Sequence, residues 1–140
     1  MSERTVETAG VMAKVGVAML ALPLVDLPAV ASAHIHSNNS QVSLQLAAVQ
    51  DGGQVAGLLA WADVLPERIA TGLEWEDYIR LAVVGVIDGV RVEVWTHLRG
   101  EQLVDARRVL ALPLDGAEHA LSLGALRSLA QHGSAVSTDA

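Results

Sequence analysis

The sequence predicts an α+β fold: an antiparallel sheet of two β-hairpins, helices packed on one of its faces in two layers, and a helical C-terminal segment. Three observations predict it. The stretch from Ile79 to Leu98 is rich in Val and Ile and is broken once, at Asp88-Gly89. Two shorter alternating runs, 33–36 and 41–47, flank Ser37-Asn38-Asn39-Ser40. Between these hairpins, residues 54–65 carry apolar side chains at helical spacing.

The N-terminal segment has two readings. In the first, residues 8–22 form an amphipathic helix, with Val11, Met12, Val15, Ala18, Met19 and Leu22 on one face and Pro23 as its stop. In the second, residues 1–33 are a secretory leader, with Lys14 as the positive charge, 15–24 as the apolar run and Ala31-Ser32-Ala33 as the cleavage site. Glu3 and Glu7 are poor leader residues, which favours the docked helix. The first reading makes the protein cytoplasmic and the second exported.

An α/β core is expected over residues 31–98. In its first hairpin, Val42, Leu44 and Leu46 alternate with Ser43 and Gln45, the period of a strand with one buried face. Ile35 joins the buried side and leaves His34 and His36 on the other. Asp51 is placed to cap the helix that follows, whose stripe is Val55, Leu58, Leu59, Ala62 and Leu65, with Trp61 at its edge and Pro66 as its end. Ile69 to Asp77 is a connection read as a short strand or an exposed acidic loop.

The second hairpin is the best specified. Asp tolerates and Gly favours the positive φ angles of a two-residue type I′ turn, so Asp88-Gly89 sets the register. Ile87 then faces Val90, Gly85 faces Val92, Val83 faces Val94 and Leu81 faces Thr96, all on a core face. The opposite face pairs Val86 with Arg91, Val84 with Glu93, Ala82 with Trp95 and Arg80 with His97. This second face is too apolar at Val84, Val86 and Trp95 to stand open to water, so the C-terminal segment or a second subunit is expected to cover it. Residues 101–131 are expected as helices, from Glu101 to Leu110 and from Ala117 to Gln131, separated by Pro113 and Asp115-Gly116. Residues 133–140 are expected to be a disordered tail, leaving one domain over 1–132.

Composition narrows the function classes. The net charge is −7, which argues against binding nucleic acid through a broad basic surface. The chain has no Cys, which removes disulfides, thiolate catalysis and thiolate-bound zinc. No apolar run has the length of a membrane span. His34 and His36 leave one face of a strand, and His97 lies on the mixed face of the second hairpin; a zinc ion held by the three imidazoles is the metal reading. No nucleophile elbow or phosphate-binding glycine motif occurs.

The succession His-Ile-His-Ser-Asn-Asn-Ser-Gln-Val-Ser-Leu-Gln-Leu (34–46), Leu-Leu-Ala-Trp-Ala-Asp-Val-Leu (58–65) and Gly-Val-Arg-Val-Glu-Val-Trp-Thr-His-Leu (89–98) resembles small uncharacterised actinobacterial and actinophage proteins. The resemblance spans residues 8–98 and implies a host range, including a phage or mobile element, but no activity.

The leading functional expectation is a small non-enzymatic binding or regulatory module. It would act on a protein partner or as a homo-oligomer, through Val84, Val86, Arg91, Glu93 and Trp95. The alternative is a small metal-dependent enzyme built on His34, His36 and His97.

Overall fold

The Asp88-Gly89 reversal lies at the centre of the sheet. In the computed structural model, which describes residues 3–36, 40–47 and 53–139, Asp88 has φ 49° and Gly89 φ 79°. Both values belong to the left-handed region that a type I′ turn demands. Strands β4 (Ile79–Ile87) and β5 (Val90–Leu98) pair antiparallel from Ile79 with Leu98 to Ile87 with Val90, in the register expected from the turn.

Four further strands complete a six-stranded sheet in the order β1-β2-β5-β4-β3-β6. They are β1 (Val30–His36), β2 (Gln41–Leu46), β3 (Ile69–Glu74) and β6 (His119–Leu121). The helices are α1 (Glu3–Leu20), α2 (Gly53–Val64), α3 (Gly100–Leu110) and α4 (Leu123–Asp139), with a short 3₁₀ turn at Leu24–Asp26.

The sheet is mixed rather than purely antiparallel. The β1–β2 hairpin forms as expected, with Ile35 opposite Val42, but β2 joins β5 in parallel, Val42 beside Val92 and Leu44 beside Val94. Parallel neighbours need a long crossover, and the path through α2, β3 and β4 supplies it. The connection at 69–74 is a strand, paired with β4 on one side and β6 on the other.

Two C-terminal expectations change. Residues 119–121 form an edge strand where a helix was expected, because Gly116 (φ 67°) and the Asp115 carboxylate, which accepts the Ala117 N–H at 2.9 Å, turn the chain back along β3. The helix begins later, where the Ser122 hydroxyl accepts the Ala125 N–H at 3.0 Å. α4 also continues to Asp139, across the segment expected as a tail, while residue 140 and the expected cap Asp51 lie outside the described residues.

One apolar cluster holds the protein together. It joins the core-face residues of β2, β4 and β5 to Val15 and Ala18 of α1, Leu58 and Trp61 of α2, Leu103 and Ala106 of α3, and Leu126 and Leu129 of α4. Each Leu or Val buried there contributes roughly 1.5–3 kcal/mol. Trp61, expected at the edge of its helix, is fully inside, and its ring N–H donates to the Pro28 carbonyl at 3.3 Å. The chain leaving α2 presses on β4 so closely that a Cβ on Gly85 would stand 2.7 Å from both Leu65 Cβ and the Pro66 carbonyl oxygen. Only glycine fits there.

Polar pairs pin the helices to the same side. Gln54 of α2 donates to the Thr96 hydroxyl at 3.1 Å and to the His97 carbonyl at 3.2 Å. Arg107 of α3 donates to the carboxylate of buried Glu74 on β3 at 2.5 Å, and to the carbonyls of Trp75 (3.2 Å) and Glu76 (2.7 Å).

Candidate functional site

The opposite sheet face carries the chemistry. Strand alternation places His34 and His36 of β1, Gln41, Ser43 and Gln45 of β2, Arg91, Glu93, Trp95 and His97 of β5, and Arg80, Ala82, Val84 and Val86 of β4 on this face. Ala82 and Val84 are buried, yet neither belongs to the cluster that contains the helices. The C-terminal helices expected here pack on the core face instead, because their apolar stripes meet α2 and each other.

A hydrogen-bonded network runs across three strands. Arg80 donates to Glu93 at 2.9 Å, and a second guanidinium nitrogen lies 3.9 Å from Glu118. The Ser43 hydroxyl donates to the same Glu93 oxygen at 3.1 Å, accepts from the Gln41 amide at 3.4 Å, and lies 3.3 Å from His36 Nε2. The His34 and His36 rings meet edge-on, with centroids 4.5 Å apart.

A ring stack adjoins the network. Trp95 and His97 lie 4.9 Å apart, His97 and Tyr78 4.3 Å, with Arg80 over Trp95 at 4.9 Å and Arg99 over Tyr78 at 5.6 Å. Partial burial, followed by the charges of Arg99 and Arg80, lowers the His97 pKa below its ordinary 6.5. An unfolded chain therefore binds a proton at His97 more readily than the folded one. The linked stability is complete above about pH 6.5 and is lost as pH falls from there toward the lower folded value. Urea titrations from pH 7.5 to 5 should show this loss, and His97→Gln should flatten the slope in that window. An unchanged slope would show that the stack does not disfavour the charged ring.

The metal reading does not survive the topology. His34 is opposite Ser43, and Ser43 is opposite Glu93, so His97 sits two strands away and four residues further along, about 13 Å in the strand direction alone. His34 and His36 are brought together, and His97 belongs to the ring stack. Among the described residues no group of three His, Asp or Glu is placed to hold a metal ion.

Nor does Ser43 have the order of a nucleophilic relay. In such a relay the imidazole faces the hydroxyl and the carboxylate stands behind the imidazole. Here Glu93 accepts the hydroxyl's hydrogen bond itself and is held by Arg80. The arrangement ties strands together and presents polar groups in a fixed pattern.

The expected surface residues fall into two kinds. Val86 and Arg91 are exposed, and Trp95 is half-buried. Val84 is only 4% exposed, against 40% for Val86 and 53% for Ile69. Glu93 is engaged on both sides within the network. Arg80, Ser43, Tyr78 and Glu118 were missed as site residues. Alternation alone put Ser43 and Arg80 on this face; the signal lacking was the parallel β2–β5 pairing that sets Ser43 beside Glu93.

Fold and face together define a small α+β protein with a polar and aromatic platform on a sheet. Comparison with family models, curated proteins and solved structures finds no match to the chain. None of the described helices is long and apolar enough to cross a membrane.

Proposed function

We propose that the protein is a small non-enzymatic binding module that works through protein–protein contacts and self-associates. Its body is a two-layer α+β domain, and the face of the sheet away from the helices receives the partner. The observation that carries this reading is that platform. Exposed Ile69 and Val86 lie beside an Arg80–Glu93–Ser43 network and a Trp95–His97–Tyr78 stack whose groups are already held by one another. Interfaces favour such a mixture of aromatic anchors, Arg and pre-ordered polar groups.

Charge suggests the partner's character. The face carries Arg80, Arg91, Arg99 and three histidines against Glu93 and Glu118, in a chain of net charge −7. Its arginines outnumber its carboxylates, so it suits an acidic protein segment.

The test is capture from lysate of the producing cell, comparing the native chain with Val86→Glu/Arg91→Glu. Both sites are exposed, so the variant should fold. Position 84 is unsuitable, since Glu there would bury an unpaired charge. A protein retained by the native chain and lost from the variant supports the reading. An identical set retained by both removes the sheet face as the contact surface.

A further inference from the structure

The helix α1 is apolar on two opposite sides, and only one of them is covered. Val15 and Ala18 are buried in the core, with Val11, Met19 and Leu22 packed beside them. On the other side Val6, Gly10, Ala13, Val17 and Leu20 recur at alternating spacings of four and three, the repeat of a coiled-coil seam. Val6 is 57% exposed, Val17 68% and Leu20 78%. Among the described residues, half of the twelve exposed large apolar side chains fall between residues 6 and 25. Three of them, Val6, Val17 and Leu20, share the one helix face.

We infer that this second face is covered by the same face of α1 from a second copy, the two helices running antiparallel about a two-fold axis. The inference rests on the self-association in the reading above and places it on a surface separate from the sheet. Charge selects both occupant and orientation. Glu7 and Lys14 are seven residues apart and occupy the same flanking position of the repeat. In an antiparallel pair that position meets its own counterpart, so Glu7 of each copy faces Lys14 of the other. A parallel pair would set both against Ala9 and Gly16, which carry no charge. Neither Glu7 nor Lys14 forms an ion pair among the described residues, and Lys14 is the chain's single lysine.

The same register stacks Val6 on Val17 of the second copy and Gly10 on Ala13 of the second copy. A Cβ built on Gly10 meets nothing within 4 Å, so the seam is open at its centre. The two small residues there let the helix axes come close. Sliding the pair by one heptad, which would set Leu20 on Gly10 of the second copy, would also set Lys14 against Lys14, which charge opposes. Lys14 Nζ now lies over the β4–β5 turn, 3.3 Å from where a Gly89 Cβ would stand, within a side-chain rotation of the seam.

Light scattering after size exclusion tests the pairing on the full chain. The native protein should run as a dimer. Lys14→Glu should weaken association at least about tenfold, and so should Glu7→Lys, while the double swap Glu7→Lys/Lys14→Glu restores it. All these sites are exposed, and circular dichroism should stay native. Because the chain has no cysteine, introduced thiols read the orientation. Mixed Val6→Cys and Val17→Cys chains should form a disulfide heterodimer. Leu20→Cys alone should not cross-link, since the antiparallel pair holds its two copies about 25 Å apart. A monomeric native protein, single charge variants that dimerise like the native chain, or ready Leu20→Cys cross-linking would each overturn the pairing. So would a monomer that sediments with phosphatidylglycerol vesicles, which would make a lipid surface the occupant. Val86→Glu/Arg91→Glu should leave the dimer intact, so failure of one surface is separable from failure of the other.

Discussion

Trp61→Ala should destabilise the protein by about 3–5 kcal/mol, the largest loss expected from one core substitution here. The indole is the largest fully buried side chain of the cluster, 2% exposed on α2 among residues that meet the sheet and α4. Truncation removes its packing and opens a cavity that the surrounding strands cannot collapse into. It also leaves the Pro28 carbonyl without the ring N–H at 3.3 Å. Domains of this size have a total stability of about 5–15 kcal/mol, so the variant should unfold at a much lower urea concentration. Trp61→Phe separates the two contributions, because it keeps most of the volume and loses the hydrogen bond. A midpoint for Trp61→Ala close to the native one would show that α2 does not anchor the core.

Arg107→Ala should cost about 2–4 kcal/mol, at or below the range for breaking a buried pair, since the guanidinium is partly exposed and water can reach the site. Glu74 sits on the core face of β3, where its register partner is Ile79, and its side chain is 7% exposed. Without Arg107 a buried carboxylate loses its counter-charge, and the carbonyls of Trp75 and Glu76 lose a donor. The double variant Glu74→Gln/Arg107→Ala should recover part of the loss, because the stranded charge is then gone. Equal losses in the single and double variants would mean that Arg107 acts through packing of its stem and not through charge. The pair also explains where α3 sits, since it ties the last turn of that helix to the end of β3 and so holds the C-terminal segment on the core face.

Much of the fold was legible from residue order. A two-residue turn at Asp88-Gly89 sets every pairing of β4 with β5, because side chains alternate strictly along a strand and one fixed reversal propagates to both ends. The same alternation sorted β2 into buried Val42, Leu44 and Leu46 and outward Ser43. The α2 stripe and its end at Pro66 were equally readable, although the burial of Trp61 was not, since its helix is apolar nearly all round and offers no polar edge. The candidate site was readable as a face but not as a set of partners. Residues 69–77 read equally as a short strand or an exposed acidic loop, and nothing within residues 74–77 marks Glu74 for pairing with Arg107 of α3.

What the sequence determined by itself is local: the turn at Asp88-Gly89, the register of β4 with β5, the apolar stripe of α2, and the side that each residue of β2, β4 and β5 takes. These follow from φ preferences and periodicities that act within a few residues. Tertiary structure alone decided that β2 runs parallel beside β5, that α3 and α4 lie on the core face, and that His97 stands apart from His34 and His36. Those outcomes depend on which apolar stripes bury one another across long separations, and chain order carries no short-range signal for that choice.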